Sequence, residues 1–144
     1  MSRTIAFVFP GQGSQSVGML AALGAADAAV RATFEEASQA LGADLWQLAQ
    51  QGPEEKLNDT RWTQPVLLAA GVAVYRAWRA QGGPAPALVA GHSLGEYSAL
   101  VAAGAMTLAD GVQLVAERGR LMQEAVPAGT GAMAAIHGLE DAAV

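Results

Sequence analysis

The chain has 144 residues, 52% hydrophobic and 15% charged, which is ample for one domain with a real core and excludes intrinsic disorder. Thirteen acidic against eight scattered basic residues give a net charge of -5, so neither nucleic acid nor an anionic membrane surface is an expected partner. The absence of cysteine excludes disulfides, thiolate metal sites and cysteine nucleophiles, and two separated histidines do not make a zinc site.

Ile5 to Phe9, "IAFVF", is a continuous apolar run closed by Pro10-Gly11, the pattern of a strand buried on both faces. At five residues it is too short for a signal-peptide core, and no charge-free stretch reaches the length of a membrane span, so a soluble, cytoplasmic protein is expected. After the loop "GQGSQSVG", the stretch from Met19 to Gly42 carries Val30, Phe34, Ala37 and Leu41 at helical spacing, with Gly42 placed for a left-handed cap. Asp44 is placed to cap a short helix "LWQLAQQ", and Pro53 with Glu54 and Glu55 suits the start of the next.

Thr63 or Gln64 then precedes Pro65, and "VLLAAGVAVYRAWRAQGG" reads as a mostly buried helix stopped by a glycine pair. A second strand is predicted at Ala87 to Ala90, a helix at Glu96 to Ala103, and a helix from the Thr107/Asp110 capping signature to about Gln123. "GAMAAIHGL", Gly131 to Leu139, reads as one more strand, with His137 at its end. This order is that of an α/β domain with a parallel sheet.

Gly91-His92-Ser93-Leu94-Gly95 directly follows a predicted strand and precedes a helix, the context of a nucleophile elbow. The turn would hold Ser93 in strained backbone angles, and side chains at the flanking glycines would strike the neighbouring strand and helix. The backbone N–H of Leu94 is then the natural first donor to a developing oxyanion. The competing reading has Ser93 as a helix cap with Glu96 as its reciprocal partner.

"FPGQGSQ" also joins a strand to a helix, yet Ser16 stands where a dinucleotide fingerprint needs Gly or Ala, and no Gly-Lys-Ser/Thr follows. Gln12 is placed to offer its backbone N–H to the same oxyanion as Leu94; the alternative is a turn chosen only for its glycines. Arg118 reads, on spacing alone, as a solvated helix charge beside Glu117 and Glu124.

Taken together, "FVFPGQGSQ", "TQPVLLAAG" at Thr63 to Gly71, "GHSLGEYSALVAAGAM" at Gly91 to Met106 and "ERGRLMQEAVPAGTGAMAAI" at Glu117 to Ile136 resemble the malonyl-CoA:acyl carrier protein transacylase family. Acyltransferase domains of polyketide synthases share the first three. The resemblance implies an α/β-hydrolase-like core, of which residues 1–127 form the N-terminal part, and a ferredoxin-like small subdomain beginning at residues 128–144. It implies that Ser93 carries the malonyl group, that the N–H groups of Gln12 and Leu94 form the oxyanion hole, and that Arg118 grips the malonate carboxylate, a role suited to a planar bidentate fork. Gln64 is implied as a hydrogen-bonding residue of the active-site floor, its alternative being a helix-start residue before Pro65. His92 reads as structural or as a wall of the acyl pocket.

Malonyl-CoA and acyl carrier protein are the implied partners, with coenzyme A entering as the substrate thioester and no cofactor or metal. Family members are roughly twice as long, and their catalytic histidine lies in the second half. The resemblance therefore implies that this stretch depends on a C-terminal half or another chain for its base and is inactive alone. A serine hydrolase, and a non-catalytic fragment that docks acyl carrier protein, are the other readings.

Overall fold

A computed structural model of the chain describes residues 4–126, 129–131 and 138–143. The elements run β1 (Ala6–Phe9), α1 (Ala21–Ala26), α2 (Ala28–Leu41), α3 (Leu45–Gln51), α4 (Glu54–Asn58), α5 (Thr60–Ala80), β2 (Leu88–Gly91), α6 (Leu94–Ala102) and α7 (Leu108–Ala125), with a single 3-10 turn at Asp141–Ala143. The described residues are thus mostly helical, with β1 and β2 paired in parallel from Ala6 opposite Leu88 to Phe9 opposite Gly91. The strand predicted at Gly131 to Leu139 falls on residues 132–137, outside the described residues, and His137 with it.

α5 is the centre of the packing, touching α2, α3, α4, α6 and α7. Its run from Thr63 to Ala70 is buried without interruption, and Val72, Ala73 and Ala77 extend that burial. Phe34, Leu45, Leu57, Leu94, Leu108 and Val115 close around it, each at most 2% exposed. Burying a side chain of this size contributes about 1.5–3 kcal/mol, so this helical layer supplies most of the favourable folding energy. Trp46 packs its edge on Phe34 at 5.0 Å between ring centroids.

Two helix starts and one burial pattern differ from expectation for local reasons. The helix expected over Met19 to Gly42 is two helices, because Asp27 takes an extended conformation and accepts a hydrogen bond from the N–H of Ala29, capping α2. α5 begins at Thr60, five residues before Pro65, because Asp59 caps it through the N–H of Arg61. β1 is not buried on both faces: Val8 is 75% exposed and Leu88 on β2 is 67% exposed, whereas Phe7 and Phe9, on the other face of β1, meet Tyr75 and Gly71 of α5. Elsewhere Gly42 is left-handed at φ 71°, Asp44 caps α3, and Thr107 accepts from the N–H of Asp110 to start α7.

Candidate active site

β2 ends at Gly91, His92 donates its N–H to the carbonyl of Phe9 at 3.3 Å, and α6 begins at Leu94. Between them Ser93 is at φ 52°, ψ -108°, a conformation that side chains rarely adopt. The glycines on either side make that turn possible. A Cβ on Gly91 would collide with the backbone of Gly95 and Glu96, and one on Gly95 with the carbonyl of Phe9. The elbow is therefore wedged between its own helix and β1.

Ser93 makes no side-chain cap on α6, which removes the capping-box reading. Its exposed hydroxyl instead accepts a hydrogen bond from Nη2 of Arg118 at 3.0 Å. Nη1 of the same guanidinium donates to Oε1 of Gln64 at 2.8 Å. Gln64 is fully buried, and its Nε2 reaches Sδ of Met122 at 3.3 Å. The guanidinium carbon also lies 5.6 Å from the centre of the Tyr97 ring, within cation–π range.

Glu117 and Glu124, the anticipated partners of Arg118, both pair with Arg120 at 2.6 Å. The Arg120 hydrogen bond holds the Glu117 carboxyl below its usual range, and the two carboxylates push the Arg120 guanidinium up. Among the described residues no carboxylate pairs with Arg118. A cation next to an exposed serine hydroxyl is thus left with neutral partners, an arrangement open to a carboxylate ligand.

The glutamine loop lies beside the elbow. Gly11 would meet His92 if it carried a Cβ, at 3.0 Å from the carbonyl oxygen and 3.2 Å from Nδ1, so the exposed imidazole rests over Gly11. Among the described residues neither the N–H of Gln12 nor that of Leu94 donates to a protein atom. The side chain of Gln12 donates from Nε2 to Oγ1 of Thr60 at 3.0 Å. Gln15 accepts from the N–H of Gly13 at 2.9 Å and donates to Oδ1 of Asn58 at 2.8 Å. The structure thus places Ser93, Arg118 and Gln64 in one hydrogen-bonded line and sets Gly11 against His92. Asn58, Thr60 and Tyr97 were not singled out by sequence; no short-range spacing marks partners that lie 43 and 48 residues away, as for Asn58 and Thr60, or on a separate helix, as for Tyr97.

The chain as a whole has known relatives. The acyl transferase domain family profile matches residues 6–143. The chain belongs to the acyl transferase domain family. The malonyl CoA-acyl carrier protein transacylase of Escherichia coli K12 is 67% identical over 139 residues, covering 96% of this chain and 45% of the relative. The crystal structure of malonyl-CoA:acyl carrier protein transacylase from Xanthomonas oryzae superposes with a TM-score of 0.93 at 64% identity, covering 99% of this chain and 46% of that one. A malonyl-transacylase solved in complex with its type II PKS acyl-carrier protein matches with a TM-score of 0.84 at 62% identity, over 87% of this chain and 40% of that one. The chain therefore spans less than half the length of these relatives. Among its described residues no helix is long and apolar enough to cross a membrane.

Proposed function

We propose that this chain carries the nucleophile half of a cytoplasmic malonyl-CoA:acyl carrier protein transacylase serving fatty acid synthesis. Residues 1–127 are the N-terminal part of an α/β-hydrolase-like core, and residues 128–144 begin a ferredoxin-like subdomain. The observation that carries the reading is the Arg118 guanidinium, without a carboxylate partner among the described residues and donating to the hydroxyl of Ser93.

The malonate carboxylate takes the guanidinium fork in a charge-assisted pair, which draws Nη2 away from Ser93 and releases the hydroxyl. Gln64 keeps Nη1 oriented, and Tyr97 backs the guanidinium. Ser93 Oγ attacks the thioester carbonyl while a base removes its proton; the tetrahedral oxyanion sits between the N–H groups of Gln12 and Leu94. Collapse breaks the C–S bond, and the coenzyme A thiolate leaves and is protonated. The thiol of the phosphopantetheine on acyl carrier protein then attacks the malonyl-serine ester by the reverse sequence. His92, lying over Gly11, forms a wall of this site. The base is a histidine from outside these 144 residues, as the resemblance implies.

Serine enzymes without their base lose about four to six powers of ten in turnover but keep their oxyanion stabilisation. Mixed with malonyl-CoA, the chain is expected to gain one malonyl group on Ser93 slowly by intact mass, faster when imidazole is added as base, and not at all as Ser93→Ala. Rapid stoichiometric gain without imidazole overturns the external base, and no gain at Ser93 with imidazole overturns the acyltransferase reading. Carrier-protein binding that survives Ser93→Ala without any acylation would favour the docking fragment instead. The relative solved with its type II PKS carrier supports a polyketide setting as the second reading.

A further inference from the structure

Thr60 and Gln64 are one helical turn apart at the start of α5 and therefore share a face. Thr60 accepts from the side chain of Gln12, and Gln64 accepts from Arg118. The same helix end also meets α7: a Cβ on Gly119 would lie 2.6 Å from the carbonyl oxygen of Thr60 and 2.9 Å from Cα of Arg61. Gly119 is the residue after Arg118, so α7 is seated directly on the helix end that holds the glutamine loop.

That helix end is itself well fixed. Asp59 caps it and is gripped by Nε and Nη2 of Arg61, while the buried Oγ1 of Thr63 donates to the carbonyl of Leu57 at 2.6 Å. The loop from Gly11 to Gln15 has no such frame. Among the described residues its hydrogen bonds are the Ser14 hydroxyl to Gly11, the Gly13–Gln15 contact, and the two side-chain ties to Asn58 and Thr60.

The geometry points to Thr60 as a positioning residue of the oxyanion hole: by accepting from Gln12 Nε2 it fixes the direction of the Gln12 backbone N–H relative to Ser93. This rests on the acyltransferase reading for its catalytic consequence. An N–H that stabilises an oxyanion must be held before charge develops, because a donor that reorients during the step loses most of its effect. The tie leaves the malonate-binding guanidinium untouched, so its loss acts on the rate of acylation and not on the binding of malonyl-CoA.

Thr60→Val removes the acceptor and keeps the shape, and Thr60→Ser restores the acceptor. Relaxation of the 15N-labelled chain is expected to give a Gln12 N–H order parameter of about 0.85 in wild type and Thr60→Ser, and below about 0.6 in Thr60→Val. Imidazole-assisted acylation of Ser93 at saturating malonyl-CoA is expected to fall about tenfold in Thr60→Val, with the half-saturating concentration unchanged, and to recover in Thr60→Ser. An unchanged order parameter in Thr60→Val overturns the inference, as does a loosened Gln12 with an undiminished acylation rate. If the wild-type chain never acylates Ser93, the acyltransferase reading fails and the order parameters still decide whether Thr60 fixes Gln12.

Discussion

The elbow at Gly91 to Gly95 and the loop at Gly11 to Gln15 stand side by side at the carboxyl ends of paired strands, yet they are held by different means. The elbow is fixed by exclusion: its glycines sit where any side chain would enter the backbone of Phe9 or of its own helix. The loop is fixed by attachment, through side-chain hydrogen bonds to Asn58 at the end of α4 and Thr60 at the start of α5. Damage to the first should be abrupt and should take the fold with it. Damage to the second should be graded and should leave the fold intact.

The most severe test of that contrast is Gly95→Ala, whose new methyl would press on backbone that cannot yield. It is expected to cost on the order of 3 kcal/mol or more in urea unfolding, and a loss below about 1 kcal/mol would erase the distinction. Gly119→Ala places its methyl against the backbone of Thr60 and Arg61, at 2.6 Å from the nearest atom against 2.1 Å at Gly95. About 2 kcal/mol is expected, together with a loss of the Arg118 contact to Ser93 that a crystal structure of the variant would show.

Asp59→Ala removes the cap of α5 and should cost about 1 kcal/mol at neutral pH. The hydrogen bond from Arg61 holds the Asp59 carboxyl below its usual range. A group depressed in the folded state stabilises above its unfolded value near 4 and loses that contribution as pH falls through its folded value. The stability gap between wild type and Asp59→Ala should therefore be full at pH 7 and narrow below about pH 4; a gap that stays constant to pH 3 would show that the carboxylate charge adds nothing. Smallest is Asn58→Ala, which frees Gln15 at the surface and should cost about 0.5 kcal/mol. A loss as large as that of Gly95→Ala would mean that the loop, too, is built into the fold.

The two regions were also unequally legible. Strand, glycine, serine, glycine and helix are neighbours in the chain, so the strain at Ser93 followed from local sterics. The caps at Asp44 and Thr107 and the left-handed Gly42 are local in the same sense. Pro65 misled because proline favours the first helical turn, whereas Asp59 had already opened α5. The hydrogen bond between Gln12 and Thr60 spans 48 residues and has no periodicity to betray it.

Arg118 was more readable than its spacing reading allowed. Glu117 and Arg120 are three apart, and Arg120 and Glu124 four apart, so both acids face Arg120 on the helix surface. Arg118 is adjacent to one and six from the other and faces neither. The helical wheel alone could have assigned the acids to Arg120. What it could not supply is the serine on α6's doorstep that the remaining guanidinium meets.

The backbone angles of Ser93 set chemistry and durability against each other at one position. Every residue with a Cβ must bear the left-handed strain there, and glycine alone escapes it. Of two variants that both lack the hydroxyl, Ser93→Gly should melt at a higher temperature than Ser93→Ala, and equal melting would show that the elbow stores no strain. If the difference is found, any improvement of this chain by thermal screening will drift toward a silent protein, since the most heat-tolerant residue at the elbow is one that cannot accept an acyl group.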